Sequence, residues 1–162
     1  MIESTLCLPA AGGSPVGDLP GEVLLGLKKV GFGAGKITGF GGKVEPGETV
    51  VVAAARRELA EEAGLLAAES DLRPAGCLTF SFPARPSWSQ VVHLFLVTVW
   101  DGTPAESDEM CPAWFRADAL PFAQMWQDAP HWLPRILAGE RLDLTIVFHD
   151  DNESIQTVEE RR

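Results

Sequence analysis

Residues 51–63 constrain the fold more than any other segment, because they combine an apolar stripe and an acidic stripe at helical spacing. The apolar positions recur every three or four residues and are Val52, Ala55, Leu59 and Ala63. This spacing predicts a helix with one face in a core, and Gly64 stands where such a helix commonly ends. Glu58, Glu61 and Glu62 are spaced i, i+3 and i+4, so they share one face of that helix.

From the residues alone, these three glutamates have two interpretations. Runs of like charge are most often solvated helix faces. The alternative is a metal site, since the apolar stripe orients the helix and the glycine-dense stretch 39–42 before it lets backbone oxygens approach closely. Carboxylate, carbonyl and phosphate oxygens are the ligands that Mg²⁺ prefers.

The rest of the chain predicts strands and a second helix. The predicted strands cover residues 2–9, 22–29, 76–83, 91–100, 113–116 and 142–148. We expect the second helix at 129–138 and a polar, partly mobile tail from about Asp150. Strands mixed with two helices favour an α+β or α/β sandwich with a mixed sheet, which we expect to be one domain over residues 1–162.

The charge balance narrows the class of partner. The net charge is −10 and the isoelectric point is near 4.7, which disfavours binding to a nucleic-acid polymer. A small phosphorylated ligand remains compatible if divalent cations bridge carboxylates to phosphates. No apolar run approaches the length of a membrane span, and the N-terminus does not resemble a signal peptide. The three cysteines form no CxxC pair or disulfide framework, so we expect a reducing compartment, the cytoplasm.

Residues 42–65 resemble the Nudix box, whose pattern is G-x5-E-x7-R-E-U-x-E-E-x-G-U with U an aliphatic residue. The fixed positions are filled by Gly42, Glu48, Arg57, Glu58, Leu59, Glu61, Glu62, Gly64 and Leu65. One departure is that eight residues, not seven, separate Glu48 from Arg57. The extra residue falls within Thr49–Val52 and leaves the register of Arg57–Leu65 intact.

The resemblance implies the Nudix fold, an α/β/α sandwich, and hydrolysis of a diphosphate linkage with Mg²⁺, for which Mn²⁺ can substitute. It implies Glu58 and Glu62 as the main metal ligands. Glu61 would be a further ligand or would orient the site through Arg57, and the backbone carbonyl of Gly41 would complete the metal shell.

Two more carboxylates are implied by resemblance. The box implies that Glu48 helps through a bound water or a helix contact, and the wider resemblance described in the next paragraph implies Glu109 as an extra catalytic carboxylate and metal ligand from outside the box. A carboxylate must accept a proton from the attacking water, and Glu62 and Glu109 are the two candidates for this base.

The resemblance extends beyond the box, over about residues 22–150, to the animal MutT homologues, which hydrolyse oxidised purine nucleoside triphosphates such as 8-oxo-dGTP. It is carried by the segments 32–36, 39–43, 102–104, 106–110, 114–115 and 121–126. It implies that Trp126 stacks on the base, that Asp128 reads the base edge and that Lys28 lies near the phosphates. The other pocket residues that it implies are Thr5, Thr38, Phe80 and Trp132.

The base pocket also departs from that pattern. Ala129 stands where the second of two aspartates is expected, and Ile37 and Thr38 replace a tryptophan and an asparagine. We therefore expect a small-molecule nucleotide as substrate, an oxidised purine triphosphate first and another nucleoside diphosphate derivative second. A third alternative is a Nudix module that binds nucleotide without turnover, although such modules usually lack the box glutamates. We expect a monomer without membrane contacts.

Several residues also have plainer interpretations. We expect Trp88 and Trp100 to be structural, His93 to be a core histidine, and Cys77 and Cys111 to behave as small hydrophobic residues.

Overall fold

A computed structural model describes residues 1–13, 20–48 and 51–161. The strands are β1 (Ile2–Gly13), β2 (Pro20–Lys28), β3 (Ile37–Thr38), β4 (Leu72–Ser81), β5 (Gln90–Val97), β6 (Met110–Arg116), β7 (Leu142–Phe148) and β8 (Ile155–Glu160). The two α-helices are α1 (Val51–Ala63) and α2 (Ala129–Leu137). No helix in these ranges is long and apolar enough to cross a membrane.

The eight strands form one mixed sheet whose order is β3-β2-β1-β5-β4-β7-β8, with β6 paired to β2. The pairs β1–β5 and β4–β7 are parallel, whereas β4–β5, β7–β8 and the pairs made by β2 are antiparallel. The strand β1 links the two halves of the sheet, because its first part pairs with β5 and its last residues, from Ala10, pair with β2.

Two hydrophobic clusters lie on opposite faces of this sheet. Successive side chains of a strand point to opposite faces, and Cys7 and Leu8 of β1 accordingly belong to different clusters. The cluster with Cys7 contains Leu59 of α1, and the cluster with Leu8 contains Leu133 of α2. One helix therefore covers each face, which confirms the predicted α+β sandwich with a mixed sheet.

The helices follow the predicted periodicity closely. The structure confirms the helix at 51–63, and the second helix ends at Leu137, one residue before the predicted end. Ala55, Leu59 and Ala63 of the predicted stripe are buried, and Val52 is partly buried. The predicted last strand at 142–148 has the same bounds in the structure, whereas β5 ends at Val97 rather than at residue 100.

The expected C-terminal tail is polar but contains a strand that was not predicted, because Ile155–Glu160 form β8 along β7. The turn before it is closed by Asp151, whose carboxylate accepts hydrogen bonds from the amides of Glu153 and Ser154. Arg135 of α2 pairs with Glu160 at 2.9 Å and secures the end of the strand. An edge strand has only one paired side and tolerates polar residues. The composition of β8 therefore resembles that of an unstructured tail.

Two other expectations are wrong. Cys111 is exposed rather than packed like a small hydrophobic residue, because it points to the face of β6 opposite that of the buried Met110. His93 is only partly buried, and its ring contacts the Cys77 thiol at 3.5 Å and the Glu3 carboxylate at 3.3 Å, so it is not a core histidine.

Candidate active site

Three carboxylates from two parts of the chain converge at one place. Glu58 and Glu62 come from α1, Glu109 comes from the residue before β6, and one oxygen of each lies within 4.8 Å of the others. The side chains of Glu58 and Glu62 are buried, with 9% and 1% exposure. Buried like charges this close repel and lose hydration, and a divalent cation offsets both costs. The three residues therefore fit a cation, and α1 does not present Glu58 and Glu62 as a solvated face.

Burial also changes the protonation of these carboxylates. Burial, the largest cause, and a hydrogen bond with Glu109 together raise the pKa of Glu62 to about 8, against the backbone amide of Gly41, which donates to Glu62 at 2.7 Å. Burial raises the pKa of Glu58 as well, while the neighbouring Arg57 opposes the shift. A bound cation favours the ionised carboxylates, as any nearby positive charge does.

The loop that precedes α1 is held against β1 by backbone hydrogen bonds. The amide of Thr5 donates to the carbonyl of Gly42 at 2.9 Å, and Cys7 and Phe40 exchange two such bonds. The fit leaves no room for side chains. A Cβ atom on Gly41 would lie 1.7 Å from the Thr5 carbonyl oxygen, and one on Gly42 would lie 2.6 Å from Glu58 Oε1. Glycine is therefore required at position 41, where the clash is with the backbone of β1, whereas a side chain at position 42 would displace the Glu58 carboxylate; the Gly41 carbonyl as a metal ligand stays a prediction.

Arg57 organises the outer side of the cluster. Its guanidinium donates to Glu48 at 3.0 and 3.1 Å, to Glu58 at 2.9 Å and to Glu61 at 3.2 Å. Glu61 is half exposed and is not part of the carboxylate cluster, and its contact with Arg57 is compatible with the orienting role, which stays a prediction. Glu48 therefore contacts α1 through Arg57, also accepts the amide of Glu45 at 2.7 Å, and is not among the three clustered carboxylates.

The extra residue of the box falls partly on residues 49 and 50, which lie outside the described residues. The helix begins at Val51, and the contact between Glu48 and Arg57 forms with the longer spacing.

The loop that carries Glu109 is tied down on two sides. The Ser107 hydroxyl donates to the carbonyl of Glu62 at 2.9 Å, and the Lys29 ammonium donates to the carbonyl of Ser107 at 2.8 Å. Lys29 also forms an ion pair with Glu106, and its amide donates to the carbonyl of Glu109 at 2.8 Å. The end of α1 and the end of β2 thus both position Glu109.

A cavity of about 460 Å³ runs from Glu62 and Gly41 to a pocket between the sheet and α2. This volume lies within the usual range for small-molecule sites. The cavity wall includes all seven residues that we predicted to bind nucleotide, which are Thr5, Lys28, Thr38, Phe80, Trp126, Asp128 and Trp132. The Thr5 hydroxyl is buried in this wall and makes no hydrogen bond with another described residue.

The far end of the cavity is aromatic with one buried carboxyl. The Trp126 ring stacks on Phe32 with centroids 5.4 Å apart and planes 15° apart, and Lys36 Nζ lies 4.7 Å from the Trp126 ring centre. Asp128 is 4% exposed and accepts a hydrogen bond from Trp132 Nε1 at 2.7 Å. Burial raises the pKa of Asp128, so its carboxyl can stay protonated at a higher pH than usual and donate as well as accept.

Sequence reasoning missed part of this wall. Trp88 was expected to be structural, but it lines the cavity and meets Phe32 and Phe82 edge-to-face at 5.0 and 5.6 Å. Ser4 and Gln90 also line the cavity. The i, i+2 spacing of Phe80, near the end of β4, and Phe82, just beyond it, could have indicated a second aromatic on the same face, whereas nothing local to Trp88 or Gln90 indicated their position.

The family model and the two relatives that match this sequence agree with one another. A family model described as a NUDIX domain matches residues 13–136. A protein of Danio rerio called oxidized purine nucleoside triphosphate hydrolase is 51% identical over 122 residues, 75% of this chain and 76% of its own length. A Mus musculus protein of the same name is 44% identical over 133 residues, 82% of this chain and 83% of its own length.

Solved structures agree on the fold. The crystal structure of a mutator MutT protein from Bacillus halodurans superposes with a TM-score of 0.78 at 19% identity, covering 99% of this chain and 97% of that one. A MutT NUDIX hydrolase from Burkholderia pseudomallei superposes with a TM-score of 0.66 at 22% identity, covering 86% and 96% of the two chains. At these identities the likeness shows the shared fold alone.

We predict that replacing Arg57 with Gln lowers the free energy of unfolding by about 2 kcal/mol in metal-free buffer, because two partly buried carboxylates lose their counter-charge. Arg56→Gln is the matched control, since Arg56 is the neighbouring and exposed arginine of α1 and should change stability by less than about 0.5 kcal/mol. Urea unfolding of both variants measures the difference. Equal stability of the two variants would contradict the organising role of Arg57.

Proposed function

The chain belongs to the Nudix hydrolase family, and on that premise we propose that it hydrolyses oxidised purine nucleoside triphosphates to the monophosphate and pyrophosphate. The observation that carries this proposal is one continuous cavity with a carboxylate cluster at one end and an aromatic pocket with a buried carboxyl at the other. The names of the relatives from Danio rerio and Mus musculus support the same substrate class.

We propose Mg²⁺ as the cofactor, with Mn²⁺ able to replace it. Glu58, Glu62, Glu109 and the carbonyl of Gly41 would hold the ion. A divalent cation in such a site neutralises phosphate oxygens and lowers the pKa of a bound water. Glu62 and Glu109 are the candidates for taking the proton of the attacking water, because both belong to the cluster and contact each other.

The triphosphate would lie between the two ends of the cavity. Lys28 lines the cavity at the end of β2, and its charge acts on Glu62. A lysine there supplies positive charge for the phosphates in a protein whose net charge is −10.

The base would occupy the aromatic end. Trp126 offers an indole face for a purine, since such stacking is favourable for any base. Asp128 would bind the base edge, and its raised pKa permits a protonated carboxyl that donates to an acceptor on the base. Phe80 and Trp132 would enclose the ring, and the hydroxyls of Thr5 and Thr38 would serve as polar contacts.

Three pocket residues that depart from the family pattern leave room for a second candidate substrate. Ala129 is buried where the family has a second carboxyl, and Thr38 and Ile37 replace larger side chains, so the base preference can differ from that of the relatives. Another nucleoside diphosphate derivative is therefore the second candidate substrate. A non-catalytic binding module is disfavoured because the carboxylate cluster is intact.

We further propose a cytoplasmic monomer that acts on free nucleotides and not on nucleic-acid polymers. The net charge supports the choice of ligand, and the three cysteines, which are free in the structure, fit a reducing compartment. Sedimentation as a particle of about 17.5 kDa would support the monomer, and a particle of twice that mass would exclude it.

The test of the proposed function is pyrophosphate release with Mg²⁺ across a panel of nucleotides. The panel contains 8-oxo-dGTP, 2-hydroxy-dATP, O6-methyl-dGTP, the unmodified triphosphates, ADP-ribose and a dinucleoside polyphosphate. We expect the highest kcat/KM for an oxidised purine, and near-complete loss of turnover in Glu62→Gln with the fold retained. Activity confined to ADP-ribose or the dinucleoside polyphosphate would replace the proposed substrate, and a fully active Glu62→Gln would remove the proposed centre.

We predict that Trp126→Ala raises KM for the preferred purine about tenfold with a smaller change in kcat, because stacking on one base contributes about 1–3 kcal/mol. Trp126→Phe should restore much of the affinity, since it keeps an aromatic face. Trp114→Ala is the control, because Trp114 is exposed and pairs with Trp100 away from the cavity. Steady-state kinetics on the three variants measures this, and an unchanged KM in Trp126→Ala would place the base elsewhere.

A further inference from the structure

We propose that Gln90 donates a hydrogen bond to a ring carbonyl oxygen of the purine and that Ser4 holds the Gln90 side chain in the donating orientation. The inference rests on the proposed function for the presence of a purine in the cavity. It adds a determinant of base selectivity that lies on β1 and β5, on the wall formed by the sheet.

The sheet register places Gln90 in the base pocket. Gln90 is the first residue of β5, and it lies directly opposite Ile2 of β1 and Phe80 of β4. Residues that lie opposite each other on paired strands present their side chains on the same face, with Cβ atoms about 5 Å apart. Phe80 is a predicted base contact, and all three residues line the cavity. The Gln90 carboxamide is therefore next to the position proposed for the base.

Two contacts fix the orientation of this carboxamide. The Ser4 hydroxyl donates to Gln90 Oε1 at 2.9 Å, and Gln90 Nε2 lies 3.4 Å from the carbonyl oxygen of Trp88. A carbonyl oxygen can only accept, so the nitrogen must be on the Trp88 side and the oxygen on the Ser4 side. Ser4 is itself buried, with 6% exposure, which limits the alternatives for its hydroxyl.

This orientation leaves a donor in the wall of the cavity. Of the two N–H groups on Nε2, one makes the long contact to Trp88, and no other described residue accepts from the second. Gln90 is partly buried, and a ligand that fills the cavity would shield this N–H from water, so the ligand is expected to supply the acceptor. The oxygen cannot take this place, because it is engaged by Ser4.

A fixed donor discriminates among bases by chemistry. Guanine-type and oxidised purines carry ring carbonyls, which accept a hydrogen bond, whereas adenine presents an exocyclic amine, which donates. Two donors facing each other leave both unpaired, and sites that hydrogen-bond a polar group reject the analogue without it. Gln90 should therefore favour purines that carry a ring carbonyl over adenine nucleotides.

The experiment measures binding of the monophosphates 8-oxo-dGMP and dAMP by calorimetry without metal, together with kcat/KM for the two triphosphates. Gln90→Leu removes the donor, and we expect about tenfold weaker binding of 8-oxo-dGMP with dAMP unchanged within about twofold. Tenfold corresponds to about 1.4 kcal/mol, within the range for one buried hydrogen bond. Gln90→Glu keeps the shape of the side chain but replaces the donor with an acceptor. It should therefore weaken the binding of 8-oxo-dGMP more than Gln90→Leu does, and of the two variants it should reduce the preference for 8-oxo-dGMP over dAMP more.

Two more variants test the orienting role. Ser4→Ala should weaken the binding of 8-oxo-dGMP about two- to threefold, because the Gln90 carboxamide is then free to rotate. Val91→Thr is the matched control, since Val91 is the next residue of β5 and points to the opposite face of the sheet, and it should bind both nucleotides as the parent protein does. Thermal unfolding checks that each variant is folded.

The outcomes separate this inference from the function on which it rests. If the parent protein prefers 8-oxo-dGMP and both Gln90 variants keep that preference, the role of Gln90 is overturned and the proposed function stands. If the parent protein neither binds nor hydrolyses any purine nucleotide, the proposed function fails and the inference fails with it.

Discussion

The structure depends on two carboxylates that are buried where buried charge is costly. Glu58 and Glu62 lie on the inner side of α1, against a glycine loop that is hydrogen-bonded to β1. The apolar stripe of α1 secures the helix to the sheet, and this attachment determines where the carboxylates point. Arg57, the Gly41 amide and the neighbouring Glu109 then set their charge and direction. A polar cluster of this kind is stable only when its charges are compensated, either by protons, as the raised pKa values of Glu58 and Glu62 indicate, or by a divalent cation, which the three carboxylates fit.

The sheet connects this cluster to the base pocket. One edge of β1 pairs with β5, and residues on its other edge hold the glycine loop, so the same strand borders both ends of the cavity. The opposite face of the sheet is covered by α2, which contributes Trp132, and Asp128 precedes the helix. The carboxylates of α1 and the proposed base contacts at α2 therefore lie on opposite sides of the sheet, and the cavity that joins them could hold the phosphates of the proposed substrate. Variation in the base pocket, such as Ala129 and Thr38, can change the substrate without disturbing the carboxylates.

The sequence was informative where the signal was local. The helix α1 and its carboxylates follow from spacing within thirteen residues, and the resemblance to the box extends that signal to the glycine loop. Trp126 and Asp128 were found through family resemblance and not through any periodicity. Trp88, Ser4 and Gln90 were missed because their place in the cavity depends on which strands are neighbours and in what register, and a single sequence does not show this. The strand β8 was missed because a polar edge strand has the composition of a loop.

The most direct measurement is the Mg²⁺-dependent shift in Tm of the parent protein and of Glu62→Gln. The amide keeps the shape of the carboxylate and can still accept from Gly41, so the metal-free Tm at neutral pH should be close to that of the parent, whose Glu62 is largely protonated because its pKa is raised to about 8. Mg²⁺ binds the folded form and should raise the Tm of the parent protein, with little effect on Glu62→Gln. An equal Mg²⁺ shift in both proteins would contradict the account, because the cation would then be bound somewhere other than at the buried carboxylates.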